Sequence, residues 1–256
     1  MTTTTSGFLN FDNLEVRYEP YPIALAAPVI EEGLYRRMLD NFPKPELFAH
    51  IEEFGSKYSL SEKFNAKAYH RIVAETPLWR EFHAWIKSPD FVETVLDALR
   101  RRHIQVQIDP RSSIYKQAAR AVKSLKSGRP VRLARKIESR FEFSMLPADG
   151  GNVLPHTDSP GKIITIVVSM ARPGEWNPAF GGGTDVNRAR DPQLQFNQVN
   201  RQARFEDMEI LHTYEFRPNQ AILFIKTFNS WHSVRPMTGK GSGLMRRTLT
   251  INIEEF

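Results

Sequence analysis

At Ile137 the spacing of apolar residues changes, and that change limits the folds open to this 256-residue chain. Upstream the spacing is helical. Ile30, Leu34 and Met38 predict an amphipathic helix over 28–41. Thr76-Pro77 and Ser88-Pro89 each set a capping hydroxyl before a proline suited to a first helical turn. Leu78, Phe82 and Ile86, then Phe91, Val95 and Leu99, supply the faces those two helices bury. A basic helix is expected over 112–126 with Ile114, Ala118, Val122 and Leu125 inward, while 43–71 reads as irregular. Downstream the period is two, with strands expected over 137–146, 162–170, 184–187, 209–216, 220–227 and 245–253, separated by glycine- and proline-rich turns. Helices first and strands after imply an α+β fold in which helices cover one face of a β-sandwich or jelly roll. One domain over 1–256 is expected, with 1–136 a mainly helical support region and 137–256 the β core.

Composition narrows the chemistry. There are no cysteines, so disulfides and thiolate ligands are excluded and any metal is held by nitrogen and oxygen donors. No run approaches the ~18 apolar residues of a membrane span, and the N-terminus lacks the pattern of a signal peptide, which makes the cytoplasm the expected location. The net charge is +6, yet 100–140 alone holds 13 Lys or Arg against Asp109 and Glu138. That segment is either a solvated helix face or a surface for an anionic partner. The polar stretch 188–204 reads as a binding loop or a plain surface insertion.

The chemistry-bearing residues lie in the β-rich half. In an extended strand, residues two apart share a face, so His156 and Asp158 would present an imidazole and a carboxylate together. His232, after the apolar run 221–225 and an Asn-Ser turn, is the candidate third ligand. Such a 2-His-1-carboxylate set leaves positions open on Fe(II) for oxygen and a co-substrate. Further on, Arg246, Thr248, Thr250 and Asn252 form one polar strand face opposite Arg247, Leu249, Ile251 and Ile253. A guanidinium on that face suits one carboxylate of a dicarboxylic co-substrate, with Thr248 assisting; pairing with a core or surface acid is the alternative. No Walker loop, Rossmann glycine fingerprint, HExxH or serine elbow occurs.

The order His156-x-Asp158, then His232 with Val234 and Pro236, then Arg246 fourteen residues on, resembles the 2-oxoglutarate- and Fe(II)-dependent dioxygenases, in particular their prolyl-hydroxylase-like branch. The resemblance implies a double-stranded β-helix of the cupin-like kind, iron held by His156, Asp158 and His232, and 2-oxoglutarate held by the iron and Arg246. It implies consumption of O2, conversion of 2-oxoglutarate to succinate and hydroxylation of an unactivated C–H bond. Asp158 fits hydroxylation, because halogenating relatives lack the carboxylate ligand. The family often carries a tyrosine on the strand after His-x-Asp; here Thr165, Val167 and Ser169 occupy that face, and Ser169 or Thr165 is the candidate substitute. The run Gly181-Gly182-Gly183 reads as the family's turn into a strand or an ordinary glycine turn, and Trp176 as a candidate substrate contact. The expected partner is a small-molecule or side-chain substrate, anionic if 100–140 borders the pocket. The alternative is a non-catalytic β-scaffold protein holding nucleic acid or another polyanion through that segment. Oligomeric state is not legible.

Overall fold

The computed structural model describes residues 7–106, 108, 122 and 137–255. Two antiparallel sheets form its centre. The larger has the order β1 (Glu15–Arg17), β2 (Ile23–Ala26), β10 (Ala221–Ile225), β7 (Lys162–Ser169), β12 (Met245–Glu255), β5 (Ile137–Pro147), β4 (Lys57–Leu60), β3 (Ala49–Ile51). The smaller has the order β6 (Val153–His156), β11 (His232–Val234), β8 (Thr184–Ala189), β9 (Met208–Tyr214). This is the expected α+β jelly roll.

The period-two pattern explains how the larger sheet serves two layers. One face of its central strands, with Phe141, Phe143, Ile166, Val168, Leu249 and Ile251, is buried in a single apolar core with the helices. Burying each such side chain contributes about 1.5–3 kcal/mol. Among the described residues these helices are α1 (Glu32–Asp40), α2 (Ala66–Glu75), α3 (Pro77–Ile86) and α4 (Pro89–Arg100). The opposite face carries Ser144, Arg246, Thr248, Thr250 and Thr165 and lines a cavity that His156 and His232 also border.

Tyr35 of α1 locks the helical layer to the sheet. Its buried hydroxyl donates to the Ala171 carbonyl at 2.7 Å, with the Ser169 carbonyl at 3.0 Å, and accepts from the backbone N–H of Asn219 at 3.0 Å and of Ala171 at 3.1 Å.

Several elements depart from the sequence reading. The first helix begins at Glu32 rather than near 28, because the Asn219 side chain bonds both the N–H and the C=O of Ile30 and the Glu31 carboxylate caps Gly33 and Leu34. Residues 43–71, expected to be irregular, hold β3, β4 and the start of α2. Ser88 caps α4 through the Phe91 N–H at 3.2 Å as expected, whereas Thr76 makes no side-chain cap to α3. The extended stretch expected at His156 is the short strand β6, which ends before Asp158, and His232 opens the short strand β11. The basic helix over 112–126 lies outside the described residues apart from Val122, which is exposed rather than inward.

Candidate metal centre

The smaller sheet brings the two histidines together. His232 opens β11 and is the direct cross-strand partner of His156, the last residue of β6. Their rings lie 4.3 Å apart, and His232 is stacked on Phe224 at 4.2 Å. Each ring is oriented by its own chain: His156 Nδ1–H donates to the Leu154 carbonyl and His232 Nδ1–H to the Ser230 carbonyl, both at 2.9 Å. A carbonyl can only accept, so both rings carry the proton on Nδ1 and aim the Nε2 lone pair outward.

Asp158 joins them by a route the alternation argument does not describe. The strand ends at His156, and Asp158 has φ +71°, a left-handed conformation that turns the chain back so that its carboxylate meets both imidazoles. Its oxygens lie 3.7 Å from His156 Nε2 and 3.8 Å from His232 Nε2, and candidate ligand atoms of all three residues lie within 4.8 Å of one another. Two bonds of about 2.1 Å span up to about 4.2 Å, so sub-ångström adjustment closes the set on one ion.

The electrostatics suit a divalent cation. Burial pushes the Asp158 carboxyl up, but Lys162 and the two histidines more than offset this and hold it far below the usual range. Burial lowers His156, and burial with the neighbouring His156 takes His232 down to about 3. At neutral pH the site therefore offers two neutral imidazoles and one carboxylate, a mixed nitrogen and oxygen donor set. Lys162 Nζ donates to Asp158 Oδ1 at 2.7 Å and Thr165 Oγ1 to Asp158 Oδ2 at 2.9 Å. Thr165 thus holds the carboxylate of the candidate ligand Asp158. Ser169 is buried but does not line the cavity.

At the other end of the cavity stands Arg246, 5% exposed. Its Nε donates to the Gly182 carbonyl at 2.6 Å and its guanidinium lies 4.7 Å over the Phe216 ring. No carboxylate among the described residues pairs with it, and burial lowers it to about 10. A buried guanidinium without a counter-ion is costly and fits an anion delivered by a ligand. Thr248 shares its strand face and the cavity wall. Arg247, on the opposite face, is already paired with Glu175 at 2.6 Å. Gly182 has φ +80°, and a Cβ there would come 3.0 Å from Met237 and Trp176 and 3.3 Å from Arg246. The glycine run therefore shapes the Arg246 seat. Trp176, read as a possible substrate contact, packs instead against Phe216 and donates to the Gly181 carbonyl.

Residues not anticipated complete the site. Thr157 is fully buried: its hydroxyl donates to the Asn197 carbonyl at 2.7 Å, its N–H to the Asn200 side chain at 3.2 Å, and Lys226 Nζ donates to its hydroxyl at 3.1 Å. The stretch 188–204 is thereby tied to the turn carrying Asp158, and its Asn200 and Gln202 line the cavity. Lys162 escaped the period-two reading because the β7–β12 register shifts between Ile253 and Glu254, so that Lys162 departs from the apolar parity of Ile164 and Ile166. A paired acid and base, Glu142 with Lys57, also faces the cavity. His212 packs edge-on against Tyr214, and it, His50, His70, His83 and His103 are absent from the cavity wall. The segment on which the polyanion reading rests lies for about two thirds of its length outside the described residues, and of its described bases Arg100, Arg101 and Arg140 are paired with Asp97, Asp12 and Glu254.

No family model matches the sequence, and no curated protein matches it. Among solved structures, a prolyl hydroxylase from Trichoplax adhaerens, in complex with a hypoxia inducible factor oxygen degradation domain peptide fragment, aligns over 91% of this chain and 83% of its own at 12% identity and a TM-score of 0.44. The non-heme alpha ketoglutarate dependent epimerase SnoN from nogalamycin biosynthesis aligns over 91% of this chain and 76% of its own at 12% identity and 0.42. A prolyl-4-hydroxylase from Pseudomonas putida aligns over 91% of this chain and 92% of its own at 11% identity with a TM-score of 0.51, and it is with this enzyme that the chain shares its fold.

Proposed function

We propose that the protein is an Fe(II)- and 2-oxoglutarate-dependent dioxygenase that hydroxylates an unactivated C–H bond of a small-molecule or side-chain substrate. The observation that carries this reading is the pairing, in one cavity, of a neutral two-histidine, one-carboxylate set with a buried guanidinium that no described acid neutralises. With iron, 2-oxoglutarate and O2 bound, the centre supplies an oxidant strong enough for such a bond, and the co-substrate leaves as succinate and CO2.

The chain's own part is to hold and to orient. His156, Asp158 and His232 bind the metal through Nε2, a carboxylate oxygen and Nε2. Carbonyls of Leu154 and Ser230 fix the rings, while Thr165 and Lys162 fix the carboxylate. Arg246 receives the far carboxylate of 2-oxoglutarate, with the Thr248 hydroxyl beside it. Asp158, as a carboxylate ligand, favours hydroxylation over halogenation. Contact of Thr165 with Asp158 makes it a positioning residue in this scheme, and Ser169, away from the cavity wall, has no direct part. Organisation as one domain over 1–256 goes with this reading, since helices and sheet share one core. So does a reducing, cytoplasmic setting that keeps iron ferrous; among the described residues no helix is long and apolar enough to cross a membrane.

The test is anaerobic titration of the Fe(II)-loaded protein with 2-oxoglutarate, followed by succinate formation on admitting O2. Binding and turnover are expected, both lost in His156→Ala and Asp158→Ala. A protein with one iron per chain that binds no 2-oxoglutarate sinks the proposal.

A further inference from the structure

The cavity has a third corner, used neither by the metal set nor by Arg246. On β12, Thr250 lies four residues beyond Arg246, about 13 Å along a strand, and it is paired with Glu142 of β5. Glu142 and Lys57 form an ion pair in the cavity wall, and the Ser59 hydroxyl donates to the second Glu142 oxygen at 3.2 Å. Burial raises the Glu142 carboxyl, but Lys57, Lys162 and Ser59 more than offset this and keep it ionised. An ion pair in this position is not needed for stability, because apolar residues of similar volume usually pack as well or better. It lines the same cavity as His156, Asp158, His232 and Arg246 without belonging to either set.

Resting on the reading of the Arg246 end as the co-substrate's, we propose that the Lys57–Glu142 pair recognises the primary substrate and that this substrate presents a vicinal diol, as a sugar or another polyol does. The pair is neutral overall, so a lone carboxylate meets Glu142 and a lone ammonium meets Lys57. A hydroxyl both donates and accepts. Two on adjacent carbons match a carboxylate with unused lone pairs beside an ammonium with unused N–H groups. Thr250 stands opposite Glu142, Ser144 and Gln202 add a hydroxyl and an amide to the same wall beside the charged Glu53 and Lys162, and Phe54 is half-exposed, where its face can cover the C–H side of a ring. The cavity volume of about 280 Å³ is shared with the co-substrate, so only a ring-sized portion of the substrate enters.

The experiment adds methyl glycosides of glucose, galactose, mannose and rhamnose, myo-inositol and, separately, the standard amino acids to the Fe(II)-loaded protein with 2-oxoglutarate and O2. Succinate formed above the substrate-free background is the readout. At least one polyol is expected to stimulate it. Glu142→Gln and Lys57→Met are each expected to raise that polyol's KM by about tenfold, with 2-oxoglutarate affinity measured separately on the Mn(II)-loaded protein. The double variant Lys57→Met/Glu142→Leu removes both charges, leaves no unpaired buried ion, and is expected to fold while losing the stimulation. Stimulation by amino acids and not polyols, stimulation that survives in all three variants, or none by any polyol while 2-oxoglutarate still binds would each overturn the proposal. Loss of 2-oxoglutarate binding in the parent protein would instead strike the dioxygenase reading beneath it.

Discussion

The two sheets around the cavity are built to different standards. In the larger, β12 and β5 pair residue for residue over eleven positions, from Met245 opposite Pro147 to Glu255 opposite Ile137. In the smaller, β6 and β11 are four and three residues long, and the ladders β11–β6 and β8–β9 both shift register. Yet the smaller sheet carries both candidate metal-binding histidines and the larger the candidate anion-binding arginine. A long regular strand repeats its side-chain direction, which suits a wall with polar groups at set intervals. Three ligands converging on one point need chain directions that a regular ladder cannot supply, and the bulge and the left-handed Asp158 supply them.

This contrast can be broken at either sheet. The largest effect is expected from His232→Ala in the smaller sheet: loss of stoichiometric iron and of 2-oxoglutarate turnover, with circular dichroism retained because the larger sheet is untouched. Retention of iron would show that the smaller sheet is not the metal's seat. Arg246→Ala in the larger sheet is expected to weaken 2-oxoglutarate binding about 100-fold, near the upper range of a charged hydrogen-bonded pair, with metal affinity kept; Arg247→Ala, paired outside the cavity, is the control with little effect. Titrating both ligands in both variants separates the two roles.

A third expectation concerns pH. An unfolded histidine titrates near 6.5, whereas His232 is lowered to about 3 in the fold. The unfolded state therefore binds the proton first, and stability falls as pH drops below about 6.5 until the folded group also titrates. Between pH 7 and 5 this one residue removes about 2 kcal/mol from the metal-free protein. Urea unfolding at both values, with His232→Gln showing a smaller loss, checks the sign. The smallest effect is expected at the seam between the sheets. Thr165→Val removes the hydroxyl on Asp158 and should cost about tenfold in metal affinity, read by competition with a chelator, while Ser169→Ala changes nothing comparable.

The same contrast explains what was legible beforehand. Arg246, Thr248 and Thr250 could be read as one face because β12 keeps its period throughout. His156, Asp158 and His232 are marked by residue type and order; the shared strand face expected for His156 and Asp158 does not form, because the strand stops at His156. Lys162 was hidden by a register shift, which leaves no mark in the local alternation. Glu142 is unmarked for another reason: its ion-pair partner Lys57 lies on β4, in a region without clear period. Asn197 and Asn200 matter through bonds to Thr157 about 40 positions away, a distance no local pattern spans. Trp176 looked like a loop residue free for substrate because its partner Phe216 lies on the far side of β8 and β9 in the sequence.

The Tyr35 hydroxyl has a consequence for how the chain assembles. Its partners lie 134 to 184 residues further along, so helix α1 leaves the ribosome long before anything exists for it to close on. Until β7 and the turn before β10 arrive, its buried face has no cover and its phenol no partner. Contacts of such sequence separation slow folding, and a nascent chain stopped short of Asn219 would display the apolar face of this amphipathic helix to any chaperone or protease nearby. The latch that ties helices to sheet in the finished protein is therefore among the last contacts synthesis makes available, and the helical half waits for the strand half before either is stable.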